Sequence, residues 1–172
     1  MKEQESAENP VISFHCVDAI AVSLYIEKQG LKFYEKAAKK AQDPKVQKMF
    51  QHLADEEKEH IQTLQAKARF LQPALQKKTG SHNHVDNFIA GELKDKVFPD
   101  IKGGADGKIP DFSCDAEALE LGIQSEQRSI QVLTELLTNE KKLDVRTIFL
   151  HLLAEEKKHL AGLEDLKRSF SA

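Results

Sequence analysis

A chain of 172 residues, 40% apolar and 31% charged, is long enough to bury a core as a single domain spanning 1–172. Its formal net charge of −3 gives no general attraction for nucleic acid or acidic membranes, so neither is expected as a partner. Two cysteines, Cys16 and Cys114, are too few for a disulfide framework or a cysteine-rich metal site, and read as free thiols of a cytoplasmic protein.

The opening MKEQESAENP is polar and lacks the apolar core of a secretion signal. VISFHCVDAIAVSLYI comes closest to a membrane span, but His15 and Asp18 interrupt it. From there the helical period takes over. A first helix is expected over about 17–42, with Ile20, Leu24, Leu31, Tyr34 and Ala38 recurring on it. Asp43-Pro44 then supplies an acidic N-cap before a proline at the first helical position. A second helix is expected over about 44–71, ending before Pro73. Third and fourth helices follow over about 115–139 and about 144–169, the last with Asp144 as its N-cap. Between the second and third lies a crossover of about forty residues, 73–113, with a short helix expected near 85–96. His82 and His84 belong to it and read as polar loop residues. Such a connection can run the length of a four-helix bundle.

The two halves of the chain repeat one another. One constant, ungapped offset places Glu27 on Glu126, Phe50 on Phe149, and HLADEEKEH (52–60) on HLLAEEKKH (151–159). Glu57 thereby matches Glu156, and His60 matches His159. Two helical hairpins related by a pseudo-twofold axis are the simplest reading, although duplication of a purely structural hairpin would leave the same trace.

Direction distinguishes these readings. At about 100° per residue, Glu57 and His60 point the same way and share their face with Phe50, Leu53, Ile61 and Leu64. Glu156 and His159 do the same among Phe149, Leu152, Leu160 and Leu163. Glu27 lies with Ile20, Leu31 and Tyr34, and Glu126 with Leu119, Ile130, Leu133 and Leu137. Four carboxylates and two imidazoles therefore occupy core-facing positions. Four buried carboxylates would be protonated, or would need compensating charge. Two divalent cations supply that charge, with two neutral imidazoles as nitrogen ligands. The donor set suits iron or manganese, with zinc as a substitute. Dinuclear carboxylate bundles use this pattern, one Glu from each of two helices and Glu-x-x-His from each of two others.

His52 and His151 fall about 140° from the Glu of their motif and read as surface positions. Glu56 and Glu155 sit at the edge of the inward face, in supporting or solvent-facing roles. Tyr34, two turns after Glu27, is placed either to hydrogen-bond a metal ligand or to serve as a core tyrosine.

At Glu27, EEKEH, Glu126 and EEKKH, and in EKQGLKFYEKAAKKA after the first ligand, the chain resembles the rubrerythrin-type branch of the ferritin-like superfamily. The resemblance implies an all-α, ferritin-like four-helix bundle with iron ligands Glu27, Glu57, His60, Glu126, Glu156 and His159. It further implies Glu57 and Glu156 as bridging carboxylates, and a homodimer. The implied activity is di-iron redox chemistry on hydrogen peroxide or dioxygen. Iron handling (ferroxidase) and a non-catalytic module with a zinc-filled site are the alternatives. The sequence departs from the family in two respects. It lacks the four cysteines of a rubredoxin domain, so an external electron donor is expected. Ser129 stands where rubrerythrins carry an additional Glu, and Gly30 is its counterpart on the first helix. These small residues would leave room for water, dioxygen or peroxide.

Overall fold

The computed structural model describes residues 14–75, 83–93, 97 and 112–171. Four long helices, α1 (Cys16–Lys40), α2 (Pro44–Leu75), α4 (Asp115–Asn139) and α5 (Leu143–Ser171), dominate it. A short helix, α3 (Asn83–Phe88), runs directly into a π-helical turn, Ile89–Leu93. No described helix is long and apolar enough to cross a membrane.

Local chemistry sets the helix ends. The His15 backbone N–H donates to the Asp18 carboxylate at 2.7 Å, holding the first turn of α1. At the start of α2, the Asp43 carboxylate accepts the Lys45 N–H at 2.7 Å, as an acid before a helical proline should. Boundaries shift from expectation by a few residues, and two of the shifts have a local reason. Helix α2 carries on through Pro73 to Leu75. Proline lacks the N–H that would reach back four residues, but in a final turn little of the helix depends on that bond. Helix α5 starts at Leu143, so Asp144 lies inside its first turn and accepts the Val145 N–H at 2.9 Å. In the crossover, the expected short helix begins earlier and ends in the π turn; His82 and residues 94–96 lie outside the described residues.

Helix α1 packs mainly on α2, and α4 on α5, giving the two hairpins the repeat requires. Contacts of α1 with α5 and α4, and of α2 with α5, close the bundle. The Asp115 carboxylate at the start of α4 accepts N–H groups of Gln42 and Asp43 in the α1–α2 turn, at 3.0 and 2.7 Å. At the opposite end, the Lys142 ammonium donates to the Phe14 carbonyl at 2.6 Å, and the Cys16 thiol to Asp144 at 2.8 Å. These ties place the start of α1 beside the end of α4, so the two helices run antiparallel.

The core is divided. One apolar cluster gathers Phe14, Val22, Ile26, Leu133, Phe149 and Leu152. The other gathers Phe33, Tyr34, Phe50, Leu119, Phe112 and Leu163, with Phe33 edge-on to both Tyr34 and Phe50. Each fully buried phenylalanine contributes about 1.5–3 kcal/mol relative to exposure. Val85, Leu93 and Val97 of the crossover cover the first cluster, whereas Phe112 packs into the second. The connection therefore returns along the length of the bundle, as parallel α2 and α4 require. Between the two clusters lies a belt of buried polar side chains.

Candidate metal centre

All four long helices contribute to that belt. Ile26 anchors α1 just before Glu27, and Phe50 and Leu53 anchor α2 before Glu57; their burial aims both carboxylates inward. Ser125 precedes Glu126 on α4, its hydroxyl donating to the Leu121 carbonyl at 2.9 Å, and Leu152 and Leu153 precede Glu156 on α5. Glu27, Glu57, Glu126, Glu156 and His159 are all buried. His60 retains 21% side-chain exposure against 2% for its repeat counterpart His159, a difference that proves consequential.

The six expected residues converge in two groups. Glu57, Glu126, Glu156 and His159 form one, and Glu27, Glu57 and His60 the other; within each, one donor atom per residue lies within 4.8 Å of the rest. Glu57 belongs to both groups, and Glu156 to the first. His159 Nδ1 faces Glu57 Oε1 and Glu126 Oε1 at 3.5 Å and Glu156 Oε2 at 3.7 Å. His60 Nδ1 faces Glu27 Oε2 at 3.4 Å. The two imidazoles lie nearly parallel, with centroids 6.0 Å apart.

Their outward nitrogens form a crossed arrangement. His60 Nε2, on α2, faces Glu155 Oε2 of α5 at 3.8 Å, and His159 Nε2, on α5, faces Glu56 Oε2 of α2 at 3.6 Å. Each edge carboxylate thus stands behind the histidine of the other hairpin, beyond hydrogen-bond length but on the side from which a carboxylate can orient a metal-binding imidazole. Helical phase alone had left Glu56 and Glu155 between supporting and solvent-facing roles. His52 is largely exposed and pairs with Glu56 at 3.4 Å, in keeping with a surface position.

Tyr34 resolves in favour of hydrogen bonding. Wholly buried, its hydroxyl donates to Glu126 Oε1 across the bundle. Burial, reinforced by the Glu126 and Glu57 carboxylates, holds its pKa well above the ordinary tyrosine value. The repeat breaks here, because the counterpart of Tyr34 is Leu133.

Gly30 has a use that sequence inspection assigned differently. A Cβ built there would fall 2.7 Å from Glu57 Oε1 and 3.1 Å from its carboxyl carbon. The space left by glycine is thus filled by the carboxylate shared between the two groups, not by water or a substrate. Nothing short of the packed pair of helices would have signalled this. Ser129 is buried, as expected of an inward position.

Electrostatically the cluster is unsatisfied. Glu27 Oε2, Glu126 Oε2, His60 Nδ1 and both His159 nitrogens are buried without a hydrogen-bond partner. Such groups are costly unless something binds them. Burial, then the neighbouring Glu27, pushes Glu57 far above the usual carboxylate range; burial and Glu126 do the same to Glu156. Burial lowers the His159 pKa, but Glu126 and Glu156 outweigh it and raise the imidazole to about 10. These are the marks of a site that positive charge would satisfy, and the donor set fits divalent metal.

Fold and site together define a ferritin-like helical bundle with a buried carboxylate–histidine cluster able to hold metal. A solved two-domain protein from Anabaena variabilis, containing DJ-1/ThiJ/PfpI-like and ferritin-like domains, resembles this chain with a TM-score of 0.62. The match has 19% identity and covers 90% of this chain and 39% of that one, so the likeness concerns the fold alone. No curated protein matches the chain. The rubrerythrin family profile matches residues 18–167, and the chain belongs to the rubrerythrin family.

Proposed function

We propose that the protein is a dinuclear non-haem iron oxidoreductase that consumes hydrogen peroxide, with dioxygen as the slower oxidant, in defence against oxidative stress. The observation that carries this reading is the convergence of Glu27, Glu57, His60, Glu126, Glu156 and His159 into two groups sharing Glu57. A pair of ferrous ions bound there would supply the two electrons that, with two protons, reduce peroxide to water; an external donor would restore them.

The chain's own groups have separate tasks. Glu27 and His60 would hold one ion and Glu126, Glu156 and His159 the other, with Glu57 between them. Two positive ions would offset the burial and mutual repulsion that raise Glu57 and Glu156, so both would ligate as carboxylates. Tyr34 remains a protonated donor beside Glu126, fixing that carboxylate through Oε1. Glu56 and Glu155 orient the two imidazoles from behind. The apolar clusters at either end shield the belt from water along the bundle, which strengthens the charge interactions of its buried members.

Anaerobic loading with ferrous iron followed by stopped-flow mixing tests the proposal. Peroxide should oxidise the reduced protein faster than dioxygen does; equal rates would refute a peroxidase. Sustained oxidation of many ferrous equivalents per chain would instead identify iron handling. Stoichiometric, redox-silent zinc in protein from iron-replete cells would identify a non-catalytic module.

A further inference from the structure

The two halves of the centre do not face solvent equally. A small pocket of about 50 Å³ opens onto the Glu27–His60 half. Leu64, Ile148 and Leu152 wall it, and Thr63, Lys67 and His151 stand around it with Glu155. Glu27, 3% exposed, also lines it, and one of its carboxylate oxygens is buried without a hydrogen-bond partner.

The internal repeat provides a built-in comparison. At the equivalent place beside His159, Lys67 is replaced by Leu166, Thr63 by Gly162 and Ile148 by Met49. Met49 and Leu166 both pack against the aromatic cluster. The Met49 methyl carbon lies 3.6 Å from where a Gly162 Cβ would be, so the thioether occupies the room that glycine leaves. The two histidines differ in the same sense, His159 being buried and His60 partly exposed.

Size decides what the pocket admits. By the measure in which one water needs about 10–15 Å³, the pocket holds only a few water-sized groups, enough for a molecule of two or three heavy atoms. We infer that small oxidants and small anions enter and bind at the Glu27–His60 half of the centre, through the pocket between Thr63, Lys67 and Ile148. This rests on the metal-centre reading and specifies which of its two positions takes the exogenous ligand. The unlike residues Lys67/Leu166 and Ile148/Met49 distinguish the approaches to two halves that also differ inside, at Tyr34/Leu133 and Gly30/Ser129.

Azide binding to the cobalt-loaded full chain tests the inference without turnover, since the visible spectrum of Co(II) reports both metal occupancy and the added ligand. The double variant Lys67→Leu/Ile148→Met transplants the residues that cover the other half. It should load cobalt to the same stoichiometry as the wild type and bind azide at least about tenfold more weakly. Thr63→Trp, at an exposed position outside the core, should weaken azide similarly and covers the case of a misfolded double variant. Full cobalt loading with undiminished azide affinity in Thr63→Trp and in any folded double variant overturns the inference alone. Failure of the wild type to take up cobalt overturns the metal-centre reading together with it.

Discussion

Replacing Gly30 with alanine separates what the helix wants from what the centre needs. In a helix interior alanine is favoured over glycine by about 1 kcal/mol. The new Cβ would lie 2.7 Å from Glu57 Oε1, so something must move. Overpacking a core usually costs about 1–3 kcal/mol. Here the obstructing atom is the far end of a side chain, which places the cost at the low end and close to the helical gain. Metal-free Gly30→Ala should therefore match the wild type in urea denaturation to within about 1 kcal/mol. Metal binding should respond differently. The oxygen must retreat by roughly 0.5 Å, beyond the tolerance of about 0.2 Å on metal–ligand distances. Because Glu57 serves both groups, both positions suffer, and cobalt affinity should fall at least about tenfold. At fixed metal concentration that removes about 1.4 kcal/mol of the stabilisation metal confers. Unchanged cobalt affinity and stoichiometry in Gly30→Ala would refute the assignment of Glu57 as the shared ligand. A metal-free loss well above 3 kcal/mol would show instead that Glu57 cannot yield.

The metal-free protein should also have an unusual pH dependence. Burial and neighbouring acids raise Glu57 and Glu156 above 4.5, and facing carboxylates raise His60 above 6.5 and His159 to about 10. All four groups hold more protons folded than unfolded, so their contribution to stability falls as pH rises from 4.5, and more steeply above 6.5. Melting curves in chelator should shift downward from about pH 5 to about pH 8, and bound metal should cancel or reverse that slope, because ligands must then be deprotonated. A chelated protein that gains stability over this range contradicts the assignment. Tyr34→Phe deprives buried Glu126 of its donor and should cost the metal-free fold about 1–3 kcal/mol by urea denaturation; no loss would mean that the contact contributes nothing. Glu156→Ala should abolish binding of the second cobalt equivalent while far-ultraviolet circular dichroism stays helical, alanine being the better helix former; full cobalt loading would exclude Glu156 as a ligand.

Much of this architecture was legible in the residues themselves. The period of Ile20, Leu24, Leu31 and Tyr34 and its successors located four long helices, because an amphipathic face can be buried in few ways. The constant offset from Glu27 to Glu126 and from EEKEH to EEKKH paired those helices into hairpins and marked the polar residues that share the apolar faces. The crossover followed from its length. Helical phase, however, fixes a direction about a helix's own axis and says nothing about the distance or rotation of the helix opposite. Packing alone brought Glu57 into both groups, carried the Tyr34 hydroxyl to Glu126, set Glu155 behind His60 and filled the space above Gly30 with a carboxylate. Symmetry was likewise only half determined. The repeat predicted equivalent halves, but whether Lys67 and Leu166 leave a histidine open or covered depends on side chains meeting across helices, and contacts of that kind exist only once the bundle has closed.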